Sequence, residues 1–434
     1  MPAGEARSWQ DDFAAFSGGV ERAFLVGAET EDGAWTAEDS LQELADLCRT
    51  LGLEVVGRTI ARRRRREPAF RVGQGKRAEV RLQSEELRAG LVVVDAELTG
   101  SHQRDLQQDL GVRVLDRTQI ILDIFAWRAR TREGKLQVEV ARLNYLLPRL
   151  AGRWPELSRL GGGIGTRGPG ETRLETERRR LRRRLGDLRR DLEEVRQHRE
   201  LLRTNRKQVP FPLLALVGYT NAGKSTLFNA LTRAEVLVED RLFATLDPTT
   251  RALILPNHQQ VLLTDTVGFI QRLPTQLVAA FRATLEELVE ADLLVHVIDG
   301  SHPRWPEQAA TVDAVLKELG AGDLPVLSVL NKLDRMAEDT VPHPQAGERS
   351  TLTISALHGW NLDRLLDQIA RALAATRCRI SLAVPYQHGN LLQLLRAKGQ
   401  VLSEEYGEHG VTVEVEIERT WADRIRHRLE TGSA

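Results

Sequence analysis

The octapeptide Gly218-Tyr219-Thr220-Asn221-Ala222-Gly223-Lys224-Ser225 leaves this 434-residue chain little freedom in how the surrounding segment folds. It has the form GxxxxGKS, follows the apolar run Leu213 to Val217, and precedes an apolar-periodic stretch from Thr226 to Leu231. Strand, glycine-bounded loop and helix in that order make a cradle for phosphate oxygens, because loop amides and the helix N-terminus point inward and the helix dipole favours negative charge. In such a loop Lys224 reaches the β and γ phosphates, and the Ser225 hydroxyl is a Mg²⁺ ligand.

Three further motifs follow in order, each at the end of a strand-like run: Asp265-Thr266-Val267-Gly268, Asn331-Lys332-Leu333-Asp334 and Ser355-Ala356-Leu357. Together with the phosphate loop they resemble the motif set of a small GTPase domain. The resemblance implies that Asp265 holds Mg²⁺ through water and that the Gly268 amide bonds the γ phosphate. It also implies that Asn331 and Lys332 shape the base pocket and that Asp334 accepts two hydrogen bonds from the guanine edge. Adenine offers no such pair of donors, so GTP is expected to be preferred over ATP.

Between the phosphate loop and Asp265 lies Phe243-Ala244-Thr245-Leu246-Asp247-Pro248-Thr249-Thr250-Arg251, with three threonines able to supply a second Mg²⁺ hydroxyl. Chemistry alone does not choose among them. In related GTPases a threonine directly before leucine does this work, which points to Thr245 and leaves Thr249 and Thr250 as turn residues after Pro248. Such a loop is ordered by γ phosphate and Mg²⁺ and released after hydrolysis. The catalytic expectation therefore rests on Lys224, Thr245 and Gly268, and Phe243, Ala244, Thr245, Leu246 and Asp247 are expected to line the bound nucleotide. Many GTPases place a water-orienting glutamine directly after the DxxG glycine, whereas here that position is Phe269. Slow intrinsic hydrolysis, stimulated by a partner, is expected.

Upstream, strand-like runs at 23–28, 53–60, 91–94 and 112–115 alternate with helix-like stretches, which predicts a parallel-sheet α/β domain over 21–130 behind a flexible leader at 1–20. The period then changes. Leu136, Val140, Leu143, Leu147 and Leu150 are spaced by four and three; later Leu174, Leu181, Leu188, Val195 and Leu202 recur every seven, with Leu185 and Leu192 between. Two such stripes joined by about twenty residues predict an antiparallel helical hairpin over 131–208. Its tip is the stretch from Gly161 to Glu171, where six of eleven residues are glycine. Val209-Pro210-Phe211-Pro212 ends that helix and opens the GTPase domain, expected over 209–376. A small C-terminal α/β domain is expected over 377–434.

The formal charge balances, with 61 basic and 61 acidic residues, but it is segregated. Residues 58–77 hold nine basic residues against one acidic, and 172–207 hold fourteen against seven. Basic surface set apart on a neutral chain points to a polyanionic partner. Two distant cysteines, Cys48 and Cys378, without metal-ligand spacing, fit a reducing compartment, and no apolar run reaches membrane-span length. A cytoplasmic, monomeric protein is expected. The sequence Gly73-Gln74-Gly75-Lys76 lacks the frame of a second phosphate loop and reads as part of a basic, RNA-facing loop.

The phrases FATLDPTTR, DTVGF and GGIGTRGPGETRLETERR, read with the GTPase motifs, resemble the HflX family of ribosome-associated GTPases. The resemblance runs from about Phe24 through the GTPase domain. It implies the domain order given above, binding to the large ribosomal subunit and its rRNA, and splitting of stalled ribosomes in the GTP-bound state. A thin arginine-lined hairpin suits an RNA-walled cavity, with Arg153, Arg159, Arg167 and Arg173 as the expected rRNA contacts. Subunit assembly without splitting, or signalling through a protein effector, are the competing readings.

Overall fold

The computed structural model describes residues 21–28, 35–61, 72–150, 169–206, 211–232, 242–272, 274, 288–336, 352–386, 389–418, 422 and 425. The described residues of Met1–Leu192, Glu239–Asp247 and Ile270–Arg282 form one compact unit, and those of Glu193–Val238, Pro248–Phe269 and Ala283–Ala434 form the other.

The first unit opens with a βα alternation: β1 Arg22–Ala28, α1 Ala37–Thr50, β2 Glu54–Ala61, α2 Gln74–Glu86, β3 Leu91–Val94, α3 Gly100–Leu110 and β4 Arg113–Asp116. The strands lie in the order β2-β1-β3-β4, all parallel. β3 reads Leu-Val-Val-Val and is buried throughout, as a central parallel strand covered on both faces must be. Helix starts follow their caps. Thr36 and Asp39 form a reciprocal capping box at α1, and Thr99 caps α3. Lys76 is engaged with Glu79 at 2.7 Å within the first turn of α2.

Helix α4, Arg117–Arg128, has no counterpart among the expected elements. Its residues from Arg117 to Phe125 are all buried, so no polar face alternates with an apolar one and the periodic signal is lost. It leads to α5, Arg132–Leu146, and a 3₁₀ turn at Leu147–Arg149. The base of α5 is fixed by charge. Arg142 Nη2 bonds Asp123 on α4 at 2.6 Å, and Arg149 lies 3.6 Å over the Tyr145 ring while its Nη2 lies 3.4 Å from Asp116. Burial pushes the Asp123 carboxyl up to about 7 against the pull of Arg142.

The second expected stripe is α6, Pro169–Arg206. Its 38 residues make a rod about 57 Å long. Leu181, Leu185 and Leu188 share one buried cluster with Val140, Leu143 and Leu150 of the first stripe, and Leu136 and Leu147 pack against it. Register is marked by a two-pronged bond from Arg184 to Glu139 at 2.9 and 3.1 Å. Of the expected tip, 161–171, residues 161–168 lie outside the described residues, as do Arg153, Arg159 and Arg167, whereas Pro169, Gly170 and Glu171 already belong to α6 and Arg173 falls early in it.

In the second unit β5 Leu213–Val217, α7 Lys224–Thr232, β6 Thr249–Ile254, β7 Gln260–Asp265, β8 Leu293–Asp299, α8 Trp305–Glu318, β9 Val326–Asn331, β10 Leu352–Thr353 and α9 Leu362–Thr376 follow in order. Six strands lie in the order β10-β9-β8-β5-β7-β6, with only β6 antiparallel to its neighbour. Thr249 and Thr250 are strand residues rather than the expected turn, and the Thr250 hydroxyl lies 2.9 Å from that of Thr264 across the pair. α9 runs directly into β11 Arg377–Pro385, which with β13 Gly410–Glu418 and β12 Gln400–Tyr406 forms an antiparallel sheet, order β11-β13-β12. Leu391 and Leu395 of α10, Gly389–Lys398, share a buried cluster with Val411, Val413, Val415 and Ile417 of β13. β12 is absent from the sequence expectation because its run VLSEEY carries no clean alternation. Among the described residues no helix is long and apolar enough to cross a membrane.

The hairpin seam gives a direct test. Leu188 is fully buried, so Leu188→Ala is expected to cost about 2–5 kcal/mol locally and to speed amide exchange along both α5 and α6. Unchanged exchange in α5 would show that the two helices do not support each other.

Candidate functional site

The phosphate loop is shaped by two glycines whose missing side chains are occupied by something else. Gly218 has φ of 151°, and a Cβ there would lie 2.2 Å from the Val297 carbonyl oxygen on β8. Gly223 has φ of 92°, and a Cβ there would lie 2.2 Å from Asn331 Nδ2. The GxxxxGK spacing is therefore set by the passage of a neighbouring strand at one end and of a side chain at the other. Asn221, between them, takes a left-handed φ of 61°, which asparagine tolerates.

Asn331, buried at the end of β9, joins three motifs. Its Nδ2 donates to the Ala222 carbonyl at 2.9 Å, and its Oδ1 accepts from the Ala356 amide at 2.9 Å. Next to it Lys332, with φ of 65°, sends Nζ to Asp299 Oδ2 at 2.7 Å. Leu333 opens the short 3₁₀ turn holding Asp334, and the Leu333 amide donates to the Ile354 carbonyl. The buried Ser355 hydroxyl donates to Asp334 Oδ1, and this bond holds the Asp334 carboxyl below its ordinary range. Leu357 is 67% exposed, leaving an apolar side chain open beside Asp334's partner. Asp299 was not among the expected site residues; its signal was its place at the carboxyl end of β8, where open α/β sheets collect their ligands.

On the phosphate side Lys224 Nζ donates to the Tyr219 carbonyl at 2.8 Å and the Gly218 carbonyl at 3.1 Å. Burial lowers its pKa from 10.5 to about 8, against the opposing pull of Asp265. The Ser225 hydroxyl donates to Asp265 Oδ2 at 2.7 Å, and the Thr266 hydroxyl donates to the Leu216 carbonyl at 2.6 Å. Gly268 lies against Thr220 and the Lys224 ammonium. Val267 and Phe269 are buried, and Phe269 joins the loop through its backbone: its amide donates to the Gly218 carbonyl at 3.1 Å and its carbonyl accepts from the Thr220 amide at 2.7 Å. No side chain at that position addresses water.

The structure thus brings 218–225, 265–269, 331–334 and 355–357 together within one unit. Phe243, Ala244, Thr245, Leu246 and Asp247 belong to the other unit. There Phe243 and Leu246 are buried, Ala244 and Thr245 are half-buried, and the Asp247 carboxylate is bound to Arg130 and Thr131.

A bound phosphate favours the charged form of Lys224, so nucleotide binding is expected to take up a proton at pH of about 8 and above. With the empty-site value at about 8, affinity for GDP should be flat below that pH and about tenfold weaker at pH 9. Calorimetric titration in buffers of different ionisation enthalpy reads both quantities. A pH-independent affinity between 7 and 9 would contradict this.

Three family profiles match in succession. They are described as the N-terminal region of GTP-binding GTPases over residues 38–126, their middle region over 128–206, and a 50S ribosome-binding GTPase over 213–332. The GTPase HflX of Caldanaerobacter subterraneus subsp. tengcongensis is 47% identical over 409 residues, covering 94% of this chain and 93% of the relative. That of Escherichia coli is 41% identical over 382 residues, covering 87% and 89%. Among solved structures, a GTP-binding protein of Sulfolobus solfataricus in complex with GDP is 26% identical, covering 82% of this chain and 99% of that one at a TM-score of 0.41. Motif geometry inside one α/β unit and relatives of this identity over nearly their whole length lead to one conclusion: the chain is a GTP-hydrolysing enzyme and belongs to the HflX family of GTPases.

Proposed function

We propose that this GTPase is a Mg²⁺-dependent switch that binds the large ribosomal subunit through its arginine-lined hairpin and splits stalled ribosomes while GTP is bound. The observation that carries the reading is the two-sided character of α6. One side is the leucine seam; the other exposes Arg179, Arg180, Arg182, Arg183 and Arg189, with no carboxylate bonded to any of these five among the described contacts. An exposed guanidinium row on a rod of this length matches a phosphate backbone better than an apolar protein surface, and its attraction is salt-dependent. The profile over residues 213–332 is described as a 50S ribosome-binding GTPase, which supports the same partner.

In this reading Asp334 accepts from the guanine edge, with Ser355 fixing one of its oxygens, and the flanks of Lys332 and Leu357 pack on the base. The donor set suits Mg²⁺: hard oxygens only, from the Ser225 and Thr245 hydroxyls and, through water, Asp265. Mg²⁺ supplies charge neutralisation between the β and γ phosphates when bound. Lys224 holds the phosphate oxygens, and the Gly268 amide senses the last one. Because Phe269 is bound into the phosphate loop by its own backbone, the attacking water is aligned by a group outside this motif. The ribosomal subunit is the natural source of that alignment, so hydrolysis resets the factor after binding has separated the subunits.

Two measurements test this. Asp334→Asn should weaken GTP binding at least about a hundredfold, because a donating N–H₂ replaces one of the two accepting oxygens and faces a guanine donor. Sedimentation of intact ribosomes with the protein should show separated subunits with GTP or a non-hydrolysable analogue, and intact particles with GDP. Nucleotide-dependent binding to the large subunit without separation would favour the assembly reading. Equal binding in all nucleotide states, or salt-insensitive binding, would remove the RNA-bound switch altogether.

A further inference from the structure

The segment Leu242–Asp247 carries the candidate Mg²⁺ threonine, yet its anchorage lies in the first unit. Asp247 Oδ2 accepts from the Arg130 amide at 3.0 Å and the Thr131 amide at 2.9 Å, and Oδ1 accepts from the Thr131 hydroxyl at 2.5 Å. That hydroxyl oxygen in turn accepts from the Gly134 amide at 3.0 Å, so Thr131 is both the N-cap of α5 and a donor to Asp247. A carboxylate at this corner is favoured by the helix dipole and by amides that otherwise lack partners.

Position 134 shows how close the fit is. A Cβ there would lie 2.5 Å from Asp247 Oδ1. Glycine is a poor helix former, and its presence in the first turn of α5 is explained by the approach of that carboxylate. Upstream, Phe243 adopts a left-handed φ of 55°, held by burial and by the Phe125 ring at 4.7 Å. Beyond the DxxG motif, the Gln271 carbonyl accepts from Arg117 Nη2 at 3.2 Å, and Ile270 is buried. Arg117 is itself bound by Asp95 and Glu43. Both segments that flank the expected γ-phosphate contacts are thus part of the body of the first unit.

We propose that Asp247 is a positioning residue of the GTPase reaction, a latch that ties the Thr245 segment to the capping corner of α5 and carries nucleotide state into the hairpin's first helix. Thr245 is two residues from Asp247, a reach of at most about 7 Å in Cα position. A nucleotide that draws Thr245 onto Mg²⁺ therefore loads the Thr131 corner. By linkage, whatever engages the far end of α5 changes nucleotide affinity through the same contacts. The inference rests on the guanine-nucleotide switch of the proposed function and on no ribosomal partner.

The test is amide exchange of the full chain with GDP and with a non-hydrolysable GTP analogue. In the unaltered protein the amides of residues 130–136 should differ about tenfold between the two nucleotides, the size expected for one charged hydrogen bond made or lost. Gly134→Ala raises helix propensity while displacing the Asp247 carboxylate; Asp247→Asn removes the charge. Both should abolish the difference at 130–136 while residues 218–225 stay protected by nucleotide. Thr131→Ser, which keeps the hydroxyl, should retain it. Equal exchange at 130–136 in the unaltered protein with 218–225 protected, or a difference that survives Gly134→Ala, overturns the latch. Neither result bears on ribosome sedimentation, so the two proposals fail separately.

Discussion

A single buried side-chain amide holds the nucleotide site together. Asn331 leaves β9, crosses above Gly223, donates to the phosphate loop at Ala222 and accepts from the base loop at Ala356. Backbone groups that would otherwise be buried without partners are satisfied by one residue, and the loss of either bond would leave a buried polar group unpaired. The two glycines of the phosphate loop follow from this arrangement: one yields to the Val297 carbonyl, the other to Asn331 itself. The cradle is therefore a property of the sheet, because β5, β8 and β9 must stand in register for the carbonyl and the amide to arrive where the loop is empty of side chains.

The switch parts are built differently. Phe269 is zipped to the loop by two backbone bonds, so the position that in many GTPases orients water serves to attach the DxxG segment. Residues 242–247 and 270–272 are held by Phe125, Thr131 and Arg117. Phe243, Leu246 and Ile270 are buried there, as are Phe125 and Arg117 that hold them.

The hairpin separates its two tasks by face. Leucines on one side of α6 meet those of α5, and the arginines on the other side are exposed. The root of the hairpin is tied by half-buried Arg142 to the buried Asp123 carboxyl, a polar group that needs a partner there and so favours one orientation for α5. A neutral chain with its positive charge gathered on a rod also approaches its target in a preferred direction.

Much of this was written in local pattern. The GxxxxGKS loop, the three later motifs, the parallel strands and both leucine stripes were legible because each depends on spacing of two, three and a half, or a fixed loop length. Helix α4 was not legible, since its stretch from Arg117 to Phe125 is buried all round and has no periodic face, and β12 was not, since its polar run has no alternation. The side-chain roles of Asn331, Asp299 and Gly134 were equally hidden: each is defined by what passes close by from a distant part of the chain. Local spacing by itself determined which segment forms the candidate phosphate loop and which helices pair. Only tertiary packing decided that Phe269 is a fastener and that Asp247 ends on a helix cap 116 residues away, because those facts are distances through space, which no spacing along the chain encodes.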